Sequence, residues 1–116
     1  AATSHIEFDD STTTNQPSMG CVGDDLTFNT AFTKRMTLDA SGNLGINQSA
    51  PSQKLHVSGN AIITGLTRIG DGTSSSPSYQ FVSDTDTGMF RAASNVLGFS
   101  TGGSERMRIA SDGKVA

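Results

Sequence analysis

The chain has 116 residues, of which 34% are hydrophobic and 16% are charged, and it contains no tryptophan. Its net charge is −3 and its eight basic residues are scattered, which argues against a nucleic-acid partner. No run approaches the roughly 18 apolar residues of a membrane-spanning helix. Serine and threonine together number 30, and there are 13 glycines. This composition favours short β-strands whose buried surface comes partly from other chains rather than a charged disordered tail.

Two β-hairpins are the first predicted elements. In RMTLDASGNLGI, apolar and polar residues alternate on both sides of a polar turn. The turn contains Gly42 at a position that needs a positive φ. The alternation places two pairs of apolar residues on common strand faces, namely Met36 with Leu38 and Leu44 with Ile46. KLHVSGNAIITG is expected to repeat this arrangement, with a turn at 58–60 between two strands.

The second half contains two further predicted strands, SYQFVSD and NVLGFSTG, on either side of TDTGMFRAAS. Before them, the composition of GDGTSSS at 70–76 is typical of a flexible loop or linker, and it lacks the Lys-Ser/Thr ending of a P-loop. No helix is predicted. TAFTKRMTL aligns with TGGSERMRI, in which two adjacent glycines disfavour a helix.

The chain contains one full repeat and most of a second, related by a shift of 71 positions. From Leu26 to Leu44, 19 aligned positions include six identities and two aliphatic replacements. Upstream, Phe8 aligns best with Phe81, a shift of 73 positions, so the second copy has lost two residues between this phenylalanine and the aligned region. PSMGC is a candidate counterpart of DTGMF. Because the second copy stops at the partners of Leu44 and Gly45, we expect the chain to be a piece of a longer protein.

These elements predict an all-β chain with a first repeat at 1–46, a connecting hairpin and Gly/Ser-rich linker at 47–77, and a truncated second repeat at 78–116. Short strands that are apolar on one face at most leave open edges and bury little surface alone. Association of three chains would cover both edges and faces. The topology of this segment of strands and hairpins stays open between a β-prism, a triple β-helix and serial small β-domains.

Three stretches resemble the repeats of bacteriophage tail-fibre and tailspike proteins: SDTDTGMFR, NVLGFSTGGSERMRI with SDGKV, and LGINQSAPSQKLHVSGNAIITG. Such repeats often lie upstream of an intramolecular chaperone domain of the endosialidase type. The similarity covers about 78–116 and 34–65, departs from the family where LGINQSAP replaces VGIGTTSP, and is poor over the first 30 residues. It implies an elongated, homotrimeric, β-rich fibre of a virion's host-attachment apparatus, in which these repeats are generally scaffold.

No residue is assigned to catalysis, to a cofactor or to a metal, and we expect no enzymatic activity. Cys21 is alone and has no base beside it, so we expect a buried structural thiol. The chain has two histidines, His5 and His56. His56 is expected on the strand face opposite its neighbours, at solvent or at an interface, rather than in a catalytic site.

The acidic residues are expected mainly in turns, where carboxylates bond their own backbone, as at Asp39, Asp71 and Asp112. Asp84 and Asp86 are spaced like the start of a calcium loop. A structural turn is favoured there because the distant glutamate is missing, although three copies could gather a cation at a trimer axis. Asp24 and Asp25 are predicted to form a solvated turn.

We expect a structural segment of a phage tail fibre or tailspike, located on the virion outside the cell, that acts as a trimeric shaft or scaffold for a receptor-binding tip. Its expected partners are further copies of itself, other tail or baseplate proteins, and a host-cell glycan or protein receptor, without nucleic acid or membrane insertion. Packing is expected at two equivalent levels, through Phe28, Met36, Leu38, Phe99, Met107 and Ile109.

The alternative is a carbohydrate- or receptor-binding module that contacts host glycan through loops 70–78 and 84–95. Exposed Phe32, Phe90 and Arg91 are the candidate sugar-contacting residues in this interpretation. Phe90 has a second interpretation as part of a core between chains, because large aromatic side chains dominate the energetics of cores and interfaces.

Overall fold

The structure is a computed structural model that describes residues 4–116. Its regular secondary structure is entirely β-strand, and the described residues contain no helix, which confirms the predicted all-β class. The strands form one six-stranded and one four-stranded sheet. The chain divides into two compact units, Ala1–Ile62 (unit 1) and Ile63–Ala116 (unit 2), with the boundary inside the predicted connecting segment.

Each unit contains one sheet whose strand order follows the sequence. The strands of unit 1 are β1 (Ser4–Glu7), β2 (Ser18–Val22), β3 (Asp25–Thr30), β4 (Thr33–Leu38), β5 (Leu44–Ile46) and β6 (Leu55–Val57). Neighbours in this sheet are antiparallel except β5 and β6, which are parallel. The strands of unit 2 are β7 (Tyr79–Phe81), β8 (Asp84–Ala93), β9 (Val96–Thr101) and β10 (Ser104–Ile109), all antiparallel.

The predicted hairpin around Gly42 is confirmed. Leu38 pairs with Leu44 on the facing strand, and the N–H of Gly42 donates to the carbonyl of Asp39 at 2.9 Å. Gly42 has a φ of 79°, the positive value that the turn requires. Gly113 has a φ of 85°, and its N–H bonds the carbonyl three residues earlier at 2.9 Å. Both copies of the repeat therefore use the same turn.

The predicted second hairpin, with its turn at 58–60, is wrong. Its first half is β6, but residues 61–64 form no strand. The chain turns at Asn47, which has a φ of 52°, and β6 returns parallel to β5 with Leu55 beside Leu44 and Val57 beside Ile46. The apolar residues that follow 58–60 do not alternate with polar residues at a period of two. The predicted second strand therefore lacked the pattern of a half-buried strand.

The Gly/Ser-rich stretch expected to be a flexible linker is instead held against β8. The N–H of Arg91 donates to the carbonyl of Asp71 at 2.8 Å, and the two side chains form an ion pair at 2.8 Å. Thr73 and Ser76 form an isolated β-bridge within the same stretch. Asp71 therefore holds Arg91, contrary to its predicted role in bonding its own turn. Composition could not show this, because the partner residue is 20 positions away.

The internal repeat is reproduced in the strand pairing. β9 and β10 begin and end 71 positions after β3 and β4. Phe28 pairs with Met36 in the first copy, and Phe99 pairs with Met107 in the second, with a register shift at the equivalent place in each pair. Equivalent arginines also make the same contact at 3.1 Å, from Arg35 to Thr30 and from Arg106 to Thr101.

The pairing also locates the length difference between the two copies. Ile6 pairs with Met19, and Tyr79 pairs with Met89, so β1 and β7 are related by 73 positions but β2 and β8 by 70. The segment between β7 and β8 is therefore three residues shorter than the segment between β1 and β2. One residue is regained at an irregularity in β8 after Arg91. The predicted net loss of two residues is confirmed, whereas PSMGC corresponds to 87–91, one residue later than the predicted DTGMF.

The hairpin turn between β3 and β4 differs chemically between the copies. Ala31 and Phe32 have φ values of 49° and 57°, and Gly102 and Gly103 occupy the equivalent positions at 56° and 71°. Both turns have the left-handed conformation at two successive residues, which favours glycine. The paired glycines that disfavoured a helix in the sequence are therefore there for the turn.

Very little large apolar surface is buried. Among the large apolar side chains of residues 4–116, Phe90 alone is buried, with 6% of its surface exposed. Its ring lies over Gly98, where an added β-carbon would come within 2.7 Å of the ring. The predicted exposure of Phe90 is wrong, because a residue without a side chain on β9 provides space for the ring within unit 2.

The polar face of unit 1 is covered by its own chain. Thr27 and Thr37 pair across β3 and β4 and are 2% and 0% exposed. The chain after β5 passes so close to this face that a β-carbon on Gly45 would collide with the carbonyl of Gln48. The hydroxyl of Thr27 donates to the carbonyl of Gly20 at 3.3 Å, whereas that of Thr37 has no hydrogen-bond partner.

Replacing Thr37 with valine is expected to leave the free energy of unfolding unchanged or to raise it, because the substitution removes a buried hydroxyl that has no partner. Thr27→Val is the matched control and is expected to cost about 1 kcal/mol, since that hydroxyl makes a hydrogen bond. Chemical denaturation of the full chain measures both. A loss at Thr37→Val as large as at Thr27→Val would contradict the absence of a partner.

Candidate functional site

One face of the unit 1 sheet is apolar across its whole width. Directly opposed residues on neighbouring strands point to the same face of a sheet. One row of such residues crosses all six strands: Ile6, Met19, Phe28, Met36, Ile46 and Val57. A second row lies two residues further along on the same face: Cys21, Leu26, Leu38, Leu44 and Leu55. We call these two rows the apolar face of unit 1.

No side chain of this face is fully buried. Leu26, Leu38 and Leu55 are 39%, 41% and 61% exposed, and Ile6 is 59% exposed. A sheet normally buries its apolar face against a second layer of secondary structure. The described part of unit 1 has one sheet and no second layer, so this face is free to meet another surface.

Unit 2 has an apolar face built in the same way. One row crosses the sheet through Tyr79, Met89, Phe99 and Met107, and a second through Arg91, Leu97, Ile109 and Val115. A groove of about 530 Å³ is lined by Tyr79, Phe81, Met89 and Phe99 together with polar neighbours. Met107 and Ile109 are 41% and 38% exposed. The apolar face of unit 2 is therefore uncovered in the same manner.

The six residues predicted to pack at two equivalent levels all lie on these faces. Phe28, Met36 and Leu38 in unit 1 are matched, 71 positions later, by Phe99, Met107 and Ile109 in unit 2. Their shared face and their equivalence are confirmed by the register. That they pack against other chains stays a prediction.

Cys21 is exposed, so its predicted burial is wrong. It lies on β2 opposite Leu26, within the uncovered apolar face, where a buried environment would require a further layer. Within residues 4–116, no group of three or more His, Cys, Asp or Glu side chains is placed to hold a metal ion. Nor does that part of the chain include a helix long and apolar enough to cross a membrane.

The two histidines make different contacts. His5 Nε2 lies 2.9 Å from a carboxylate oxygen of Glu7. His56 lies on the face opposite Leu55 and Val57, as predicted, and its Nδ1 lies 3.3 Å from the hydroxyl of Ser52. Sequence reasoning missed this Ser52–His56 contact because it depends on the turn before β6. Nucleophilic catalysis needs a third group that orients the base, and within residues 4–116 His56 makes no hydrogen bond to a carboxylate.

Asp84 and Asp86 begin strand β8 and do not form the predicted structural turn. They lie two residues apart and so share one side of the strand, which brings their carboxyl groups together. A hydrogen bond with Asp84 raises the pKa of Asp86, and partial burial and the charge of Asp84 act in the same direction. The pair is a local site of carboxylate repulsion.

Two other acidic predictions have mixed outcomes. The Asp39 carboxylate accepts hydrogen bonds from the N–H groups of Asn43 and Ser41, and the bond from Asn43 is the main cause that lowers its pKa. Its predicted role in the turn is confirmed. Asp25, predicted in a solvated turn, instead begins β3 and accepts a hydrogen bond from the N–H of Ala40 at 3.0 Å.

The candidate sugar-contacting residues belong to different units and differ in exposure. Phe32 is 71% exposed in a turn of unit 1, Phe90 is buried in unit 2, and Arg91 is exposed on β8. The predicted loop at 84–95 is a strand followed by the start of a turn. A smaller cleft of about 200 Å³ does lie between the 70–78 stretch and the sheet of unit 2, and its lining includes Asp71, Ser78, Tyr79, Arg91 and Leu97.

Asp84→Asn is expected to lower the pKa of Asp86, because an amide removes the neighbouring charge and can donate to the Asp86 carboxylate. A raised pKa in the folded state contributes stability at low pH that is lost as the pH rises through it. Asp84→Asn should therefore raise the free energy of unfolding near neutral pH relative to its value at low pH. Titration of the Asp86 carboxyl carbon by NMR measures the pKa. Asp24→Asn is the control, and an unchanged Asp86 pKa in Asp84→Asn would contradict the coupling.

Comparison with known proteins found no matching family model and no matching curated protein. The two uncovered apolar faces, with their common register, and the small cleft of unit 2 are therefore the features from which function can be inferred.

Proposed function

We propose that the chain is a structural segment of a phage tail fibre or tailspike, assembled as a homotrimer through the apolar faces of its two units. In this proposal it belongs to the virion's host-attachment apparatus and holds a receptor-binding tip. The observation that carries the proposal is the recurrence of one apolar face in the same register in both units, uncovered within each. A packing role needs no catalytic group, and we propose none.

The exposed area supports association with other chains. The chain has an accessible surface of 8313 Å². Two separate monomeric domains of half its mass would together expose about 7200 Å², from the usual scaling of surface with mass. The difference of about 1100 Å² exceeds the roughly 800 Å² that each partner buries in a standard interface. An interface somewhat larger than the standard size would therefore bring the chain to the burial expected of two typical domains.

Two arguments favour three copies. Three single-layer sheets around an axis can direct their apolar faces inward and enclose one common core, so that no sheet needs a second layer of its own. The SERMRI and SDGKV stretches, which carry the resemblance to trimeric fibres, are β10 and the turn after it, and they supply Met107 and Ile109 to the apolar face. A face-to-face dimer is the competing arrangement.

Met107→Asp is expected to break up the trimer, because three carboxylates would be buried close together without partners. Light scattering of the full chain at several concentrations is the measurement, and the wild type should have three times the 12.0 kDa of one chain. Val82→Asp is the matched control, since Val82 is 102% exposed in the turn between β7 and β8.

Two results would count against the proposal. A folded wild-type chain that stays monomeric at all concentrations would refute the trimer, and a stable mass of two chains would favour the dimer. A Met107→Asp variant with the wild-type mass and melting temperature would show that the apolar face of unit 2 is not in the interface.

A second candidate function is carbohydrate binding at the 200 Å³ cleft of unit 2. Tyr79 is 51% exposed there, and the Asp71–Arg91 ion pair, with side chains 63% and 50% exposed, lies at the same cleft. An aromatic ring beside paired polar groups suits a sugar, which has both an apolar face and hydroxyls.

In this function Arg91→Ala should reduce binding to immobilised bacterial surface polysaccharides at least tenfold, whereas Lys114→Ala should not.

A further inference from the structure

The segment at 59–69, which we call the junction segment, carries unusually exposed aliphatic side chains. It connects the last strand of unit 1 to the stretch that packs on β8. Ile62, Ile63, Leu66 and Ile69 are 91%, 64%, 83% and 44% exposed. Isolated exposed aliphatic residues are common on protein surfaces, but a contiguous group marks a site of interaction.

The backbone of the junction segment is also without partners inside the described chain. Its residues belong to no strand, and among residues 4–116 none of its N–H or C=O groups makes a backbone hydrogen bond. An extended segment with free backbone groups can pair with another extended segment. Exposed aliphatic side chains and free backbone groups therefore coincide over the same residues.

The chemistry of the segment favours identical copies of itself as the occupant. Between Lys54 and Arg68 the sequence has no Lys, Arg, Asp or Glu. Identical residues come close together when copies pair around a symmetry axis, so like charges would repel there. Residues 59–67, which form most of the junction segment, are therefore uncharged and contain no proline, as is typical of segments that pack against copies of themselves.

The position of the segment gives a second argument. Val57, at the end of the row that crosses the apolar face of unit 1, is five residues before Ile62. In unit 2, Ile69 helps to line the cleft beside Leu97, which belongs to the apolar face of that unit. In the chain, the junction segment is thus flanked on both sides by residues of the surfaces proposed to join copies.

We infer that the junction segments of three copies pack against one another, with Ile62, Ile63 and Leu66 of each copy covered by the same residues of the other two. The inference rests on the proposed trimer and assigns to this segment an interface of its own, in addition to the sheets. The stretch expected to be a connecting hairpin and linker then becomes part of the assembly.

Leu66→Asp tests the inference, since a carboxylate at this position would be buried against two copies of itself. The side chain is 83% exposed in the single chain, so the fold of each unit should be unaffected. Light scattering of the full chain is expected to show loss of the trimer at concentrations where the wild type is trimeric, with an unchanged β-sheet signal by circular dichroism. Val82→Asp is the control and should stay trimeric.

Cross-linking provides a measurement that does not depend on dissociation. In a Cys21→Ser background, Leu66→Cys should form a disulfide between chains under mild oxidation in high yield, whereas Val82→Cys should form little. A trimeric wild type in which Leu66→Asp stays trimeric and Leu66→Cys fails to cross-link would overturn the inference and leave the trimer intact. A monomeric wild type would overturn the proposed function, and with it this inference.

Discussion

A single-layer β-sheet cannot bury its own apolar face, and most features of this chain follow from that constraint. Each unit pairs its strands in sequence order within a single sheet. The strands also align large apolar side chains into rows on one face, and in the described residues no second sheet or helix of the same unit covers them. Hydrophobic burial is the dominant favourable term in folding, so the proposed covering of these faces by other chains would add to the stability of the fold.

The opposite faces show what the chain can bury alone. In unit 1 Thr27 and Thr37 are buried on the face that the chain after β5 approaches at Gly45, and in unit 2 the ring of Phe90 fills the space above Gly98. These sites are small and partly polar, and each includes a buried hydroxyl without a partner, that of Thr37 in unit 1 and that of Ser100 in unit 2. The intrachain core is therefore modest, which fits the low apolar content of the sequence.

The comparison of the two copies separates what the hairpin needs from what varies. Register, turn position and the arginine contact across the hairpin are the same in both copies, whereas the turn residues change from Ala31–Phe32 to Gly102–Gly103. Thr27 and Gly98 are equivalent positions on the opposite face of each sheet. The threonine side chain is itself buried in unit 1, whereas the glycine leaves space for the ring of Phe90 in unit 2. The uncovered face is apolar in both copies, which is what the proposed assembly through both units requires.

Several errors in prediction share one physical origin. The linker predicted at 70–76, the exposed Phe90 and the buried Cys21 all depend on contacts between residues distant in sequence. Local composition describes only what conformation a segment favours alone. The position of the Gly/Ser-rich stretch is determined by its contact with Arg91, and the parallel pairing of β6 by its neighbours on β5, such as Leu44. The hairpins around Gly42 and Gly113 were predictable because both alternation and turn chemistry are local.

The sequence by itself determined the all-β class, the repeat of 71 positions, the principal hairpins and the six apolar residues that share equivalent faces. These follow from period-two alternation, glycine at turns and self-similarity, all of which can be read along the chain. Only the tertiary structure decided that β6 runs parallel to β5, that Phe90 is covered within its own unit, and that the aliphatic residues of the junction segment are exposed. Such features depend on which distant segments come together in space, and no local pattern specifies them.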